Sequence, residues 1–169
     1  MSTEFFLRNG VPADARVLAQ MRYEFRSALD AVVEDSSTFI ERAGTKFAAL
    51  LASDRWMCWV IELRDGLIVG HCFLQRIEKL PNPVSEAEWI GYITNVYVAP
   101  TYRGNGCASR MLDAALRYCR EHGAYSAILW PTDESRPMYE RRGFRVPNRL
   151  IEMPCFTNMQ SIPPISSVL

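Results

Sequence analysis

In VYVAPTYRGNGCASRML, Arg103, Gly104 and Gly106 stand between a β-type run and a helical one, and together they suit one task, holding an anion. A helix start exposes backbone N–H groups without partners and the positive end of the macrodipole. Glycines just ahead of it let a ligand approach those donors, and a guanidinium adds a fork matched to phosphate oxygens. A pyrophosphate suits such a wrap better than one carboxylate, although a plain glycine turn with no ligand has the same spacing. A P-loop would end in Gly-Lys-Ser/Thr, whereas this segment continues Gly106-Cys107-Ala108, which excludes it. A dinucleotide fingerprint would open the first βαβ unit and carry a third glycine where Ser109 stands.

Other reactive side chains offer less. The five cysteines, Cys58, Cys72, Cys107, Cys119 and Cys155, are odd in number and form no C-x-x-C, so they read as small core residues. His71 and His122 have no ligand-spaced partners, and no metal is expected.

The elements that must position the anion loop follow from periodicity. A first strand ends near Gly10, and Val17, Leu18, Met21, Phe25 and Leu29 predict a helix over 13–29. Thr38 and Glu41 have capping-box spacing ahead of a second helix carrying Phe39, Ile40, Ala43, Phe47, Leu50 and Leu51. WMCWVIEL and LIVGHCFLQRI are β-rich and joined through Asp65-Gly66, a hairpin signal. WIGYITNVYVAP is the longest β-type run, followed by the glycine loop and a helix to about Glu121. AYSAILW predicts a further strand, ESRPMYERR a short helix closed by Gly143, and FRVPNRLIEMP one or two strands broken at Pro147. The order β-α-α-β-β-β-α-β-α-β implies an α/β or α+β domain over residues 1–156, with a mixed, mostly antiparallel sheet flanked by helices. Residues 157–169 form a Pro/Ser-rich tail.

The 169 residues carry 19 basic and 19 acidic side chains, and this neutral balance argues against nucleic acid as a partner. No apolar run reaches the roughly 20 residues needed to span a bilayer, and MSTEFFLRNGVPADA does not look like a secretion signal. The expectation is a cytoplasmic protein without a membrane partner.

The glycine segment resembles the acyl-CoA pyrophosphate motif of the GNAT N-acetyltransferase superfamily, Val-x-Pro then Arg/Gln-x-x-Gly-x-Gly/Ala, matched by Val98, Pro100, Arg103, Gly106 and Ala108. WPTDESRPMYERRGFR is similar to the family's second element, a strand and short helix with Tyr-Glu-x-x-Gly-Phe. The resemblance covers about residues 4–154. It implies a sheet in which two strands, ITNVYV and AILW, splay apart around the pantetheine arm of acetyl-CoA, the cosubstrate. Main-chain groups of Val96 and Val98 would pair with that arm, and Tyr97 between them is counted with the cofactor-binding residues. Arg103, Gly104, Asn105, Gly106, Cys107, Ala108 and Ser109 would hold the pyrophosphate. Ser135, one helical turn before Tyr139, would reach the cofactor, and Thr132 stands where many members carry an asparagine.

The same resemblance implies an N-acetyltransferase that acts on a primary amine in a ternary complex, as a monomer or homodimer. Tyr139 would protonate the departing thiolate. Many members place a basic glutamate on the central strand, and YITNVY has none, which leaves Glu88, Glu41 or a water chain held by Tyr92, Thr94 or Asn95. Asp30, Glu34, Asp35 and Glu41 would form an acidic mouth for a cationic small-molecule amine, with Tyr92 and Asn95 behind it. Whether Asn95 and Tyr97 face the acceptor or the core is not decided by alternation. Trp56, Trp59 and Trp89 suit either a pocket lining or the core. A non-catalytic acyl-CoA sensor, a longer-chain acyltransferase and an enzyme acting on a protein amine share these features.

Overall fold

The computed structural model describes residues 3–29, 31–147 and 150–152. The chain divides into two compact units, residues 1–132 and 133–169. The first contains β1 (Phe5–Asn9), α1 (Ala15–Ser27), α2 (Ser36–Leu51), β2 (Trp56–Leu63), β3 (Ile68–Glu78), β4 (Trp89–Val98), α3 (Cys107–Glu121) and β5 (Ala127–Ile128). The five strands lie in chain order. β1 to β4 pair antiparallel and β5 joins β4 in parallel, which gives the mixed, mostly antiparallel sheet expected from the element order.

β2 and β3 read as nearly continuous apolar runs because helices cover both faces of the sheet. On one face, Leu18 and Met21 of α1 join Val60, Phe73 and Tyr97, with Phe25 and Phe47 packed against them. On the other face, α3 buries Met111, Leu112, Ala115 and Cys119. Gly91 brings α3 close to the sheet, since a Cβ there would lie 2.8 Å from Cys119 Sγ and 2.9 Å from Leu74 Cδ1. Trp59 and Trp89 are core residues, 7% and 3% exposed, and Trp56 packs against the core. Among the described residues no helix is long and apolar enough to cross a membrane.

Three boundaries differ from expectation. A 3-10 turn, Pro12–Asp14, precedes α1, which starts at Ala15. Asp14 fixes this turn by accepting from Val11 N–H at 2.8 Å and from Arg8 at 2.8 and 3.0 Å. Burial alone would raise the Asp14 carboxyl, but these hydrogen bonds outweigh it and hold the group below its usual range. α2 is capped by Asp35 rather than Thr38, because the Asp35 carboxylate accepts from both Thr38 N–H and the Thr38 hydroxyl and starts the helix earlier. The strands expected after Gly143 do not form among the described residues, where Pro147 removes a ladder donor. The tail over 157–169 lies outside the described residues.

In the second unit, α4 (Arg136–Glu140) carries Pro137 in its first turn, where a missing N–H costs nothing. Gly143, at φ 87°, ends it as expected.

Candidate functional site

The parting of two strands creates the site in the first unit. β5 pairs with β4 only at Gly91–Ala127 and Tyr92–Ile128, so Ile93–Val98 keep β3 on one side and an open edge on the other. Ala99 N–H donates to Val69 O at 2.9 Å. By period-two alternation Tyr97 also turns its peptide groups toward β3, while Val96 and Val98 turn theirs to the open edge. The splay agrees with what the resemblance implied. The Val98 carbonyl on that edge accepts from Arg103 Nε at 3.1 Å, which anchors the guanidinium and leaves its outer nitrogens for a ligand.

The glycine loop links this edge to α3. Gly104 and Gly106 are left-handed, φ 79° and 73°. A Cβ at either position would meet nothing within 4 Å, so conformation rather than crowding selects glycine there. Asn105 Nδ2 donates to the carbonyls of Tyr102 at 3.1 Å and Arg103 at 3.2 Å, so its side chain closes the loop. Gly106, the α3 N-cap, supplies no side-chain acceptor, and the first-turn N–H groups are open to an anion. Cys107 is buried and presents only its main chain, while Ala108 and Ser109 are half-buried.

A bulge in β4 sets the opposite wall. His71 faces Tyr97 and Phe73 faces Thr94, so β4 has one more residue between these pairs than β3. Asn95, φ 52°, is the one non-glycine residue with positive φ among the described residues. The extra residue puts Tyr92, Thr94 and Tyr97 on the face covered by α1. Tyr97 packs its ring against Phe25 at 5.6 Å, and its hydroxyl donates to Glu24 at 3.4 Å. Burial, then the Glu24 carboxylate, raise the Tyr97 phenol above its ordinary value. Asn95 Oδ1 accepts from Arg22 Nη1 at 3.1 Å. Trp130 crosses Tyr92 edge-on, centroids 4.8 Å apart, just past β5.

His71 lies under this wall, fully buried. Neither ring nitrogen has a hydrogen bond of good geometry, although the Asn95 side chain lies near enough to favour protonation slightly. Burial dominates and lowers its pKa to about 4.

Among the described residues, the carboxylates expected at an acidic mouth are partly engaged elsewhere. Glu34 is paired with Arg42 through contacts of 3.1 and 2.6 Å, and Asp35 is occupied as the α2 cap. The Arg42 guanidinium offsets the charge of Glu34, while Asp35 keeps its charge but has its oxygens engaged at the helix end. Asp30 lies outside the described residues. Glu41 borders a shallow depression of about 290 Å³ with Arg16, Ile40 and Thr45, away from the glycine loop. Glu88 is exposed and precedes β4, roughly 20 Å of extended chain before Asn95 at about 3.3 Å per residue. Thr132 closes the first unit. In the second, Ser135 is the N-cap residue of α4, and Tyr139 sets its ring edge-on to Phe144 at 5.8 Å.

Sequence reasoning missed Arg22, Glu24 and Trp130. Arg22 left one signal, a cation inside the apolar stripe Leu18, Met21 and Phe25 of α1.

Residues 19–144 match the acetyltransferase (GNAT) family. The chain is 34% identical over 88 residues to the glucosamine 6-phosphate N-acetyltransferase of Trypanosoma brucei brucei, a match spanning 52% of this chain and 58% of that protein. Its fold is like that of a predicted acetyltransferase with acetyl-CoA from Clostridium acetobutylicum, TM-score 0.72 at 24% identity, over 89% of this chain and 96% of that one. It is also like that of the Arabidopsis thaliana glucosamine-6-phosphate N-acetyltransferase, TM-score 0.66 at 22% identity, over 92% and 99%.

Proposed function

The chain belongs to the acetyltransferase (GNAT) family, and from that premise we propose that it transfers an acetyl group from acetyl-CoA to the primary amine of a small molecule. The observation that carries this reading is the open β4 edge running into a glycine loop whose main-chain donors and Arg103 surround one anion position. The loop residues 103–109 would take the pyrophosphate. Val96 and Val98 would hydrogen-bond the pantetheine amides as an added strand does.

In the proposed reaction the neutral amine attacks the thioester carbonyl, a C–N bond forms and the C–S bond breaks. The amine's proton leaves to water on the wall of Tyr92, Thr94 and Asn95, and the coenzyme A thiolate takes a proton from Tyr139. Much of the rate would come from positioning and from main-chain donors at the carbonyl oxygen. Direct attack is favoured over a cysteine-bound intermediate. Burial raises the thiols of Cys58 and Cys107, that of Cys72 to about 12 and that of Cys119 to about 11, so each remains a protonated, weak nucleophile.

An amine panel with acetyl-CoA, read by product mass, tests the reading. N-acetylated product with stoichiometric free coenzyme A is expected. Coenzyme A binding without turnover of any amine would leave a sensor instead, and product only on a peptide N-terminus would move the acceptor to a protein.

A further inference from the structure

We propose that the acceptor carries an anionic group beside its amine, a phosphate monoester or a carboxylate, and that Arg22 of α1 binds it. This inference rests on the acetyltransferase reading for the amine's fate, but not for the anion site itself.

Arg22 differs from the paired arginines of this chain. Arg8, Arg42, Arg55 and Arg64 each meet a carboxylate. Arg22 is half-buried, and among the described residues its one hydrogen bond goes to the neutral amide of Asn95 at 3.1 Å. Its guanidinium lies over the Phe25 ring at 5.8 Å. Among the described residues, four of its five N–H donors are left over. Burial, followed by the like charge of Arg26, lowers its pKa from the ordinary arginine value. A cation held this way destabilises the fold relative to an apolar residue, unless something else completes it.

The surroundings indicate what completes it. Arg22 grips the bulge residue Asn95, whose strand has its open edge at the parting from β5. Beside Asn95, His71 is wholly buried with two ring nitrogens lacking good hydrogen bonds, a second polar group left unsatisfied at the same spot. Tyr92 contributes to the electrostatics of Arg22, and Trp130, stacked edge-on to Tyr92, is 59% exposed. An aromatic shelf, an amide and an unneutralised guanidinium suit a polar, anionic small molecule better than a simple cationic amine. Glu24, the carboxylate two residues along α1, has its oxygens engaged by Tyr97 and Gln20 instead of by Arg22. A guanidinium fork fits phosphate and carboxylate alike.

The test uses matched acceptors with the full chain and acetyl-CoA: glucosamine 6-phosphate against glucosamine, and serine against serinamide. The anionic member of at least one pair should have a kcat/KM roughly ten- to a hundredfold higher, the range of a charge-assisted hydrogen bond. The first pair reports phosphate and the second carboxylate. Arg22→Gln should bring that ratio close to one, Arg22→Lys should restore part of it, and coenzyme A affinity should report intact folding in both. Equal rates within both pairs, or an Arg22→Gln variant that lowers both members alike, would overturn the proposal. Calorimetry with inorganic phosphate and with glucosamine 6-phosphate separates the two readings. Heat that disappears in Arg22→Gln supports the anion site even if no amine is acetylated. No heat with either probe, together with no preference in turnover, defeats the site whether or not acetyl transfer occurs.

Discussion

Arg22 Nη1 donates to Asn95 Oδ1 across 3.1 Å and ties α1 to the left-handed residue of the β4 bulge. The contact lies where β4 and β5 part company. Strand splay, β4 bulge and helix position are therefore one local arrangement. The extra residue rotates Tyr97 onto the α1 face, while Val96 and Val98 keep their peptide groups on the open edge.

The anion loop predicts a binding defect with little loss of fold. Arg103→Ala removes a charge-assisted contact and should weaken coenzyme A binding about ten- to a hundredfold by calorimetry. Its thermal midpoint should hardly move, since Arg103 is exposed and anchored by a single hydrogen bond to Val98. Unchanged affinity would remove the pyrophosphate role.

Tyr139→Phe separates chemistry from binding. Loss of a general acid typically costs on the order of a hundredfold or more in rate. Turnover should drop on that scale while acetyl-CoA affinity, measured independently, stays near the wild-type value. Wild-type turnover in this variant would leave Tyr139 a packing residue against Phe144.

His71 predicts an acid-sensitive fold. Its pKa is lowered from 6.5 to about 4 in the native state, chiefly by burial, with the Arg22 charge adding to the effect. The unfolded chain therefore binds a proton first as pH falls. Stability should be intact above about pH 6.5 and decline toward pH 4, by about 3 kcal/mol at most at ~1.4 kcal/mol per unit. His71→Phe keeps the ring packing and should flatten this part of the urea-unfolding profile. An identical slope in the variant would show that other groups set it.

Gly91→Val tests the close approach of α3 to the sheet. A Cβ at Gly91 is already too near Cys119 Sγ and Leu74 Cδ1, and two further methyls overpack the same space. Such overpacking costs about 1–3 kcal/mol, a drop of several degrees in Tm for a chain of this size. A variant with unchanged Tm would mean that α3 moves aside freely.

Element types and the anion loop were legible because they depend on local chemistry. Asp65-Gly66 marked the β2–β3 hairpin, Gly143 marked the end of α4, and Arg103, Gly104 and Gly106 marked the α3 start. The capping box at Thr38 misled because two acceptors competed for one helix start and Asp35 takes the Thr38 donors first. The carboxylates expected at the acidic mouth show a similar competition among the described residues. Arg42 pairs with Glu34, and the start of α2 takes the oxygens of Asp35.

The sequence by itself determined the strand and helix order as far as α4, the glycines ahead of α3 and the family, since each depends on residues adjacent in the chain. Only the tertiary structure decided which way Asn95 and Tyr97 face, how far β5 accompanies β4, and that Arg22 meets no carboxylate among the described residues. A single inserted residue reverses the side-chain alternation of a strand, and whether it is accommodated depends on the register with β3 and on a helix more than seventy residues earlier.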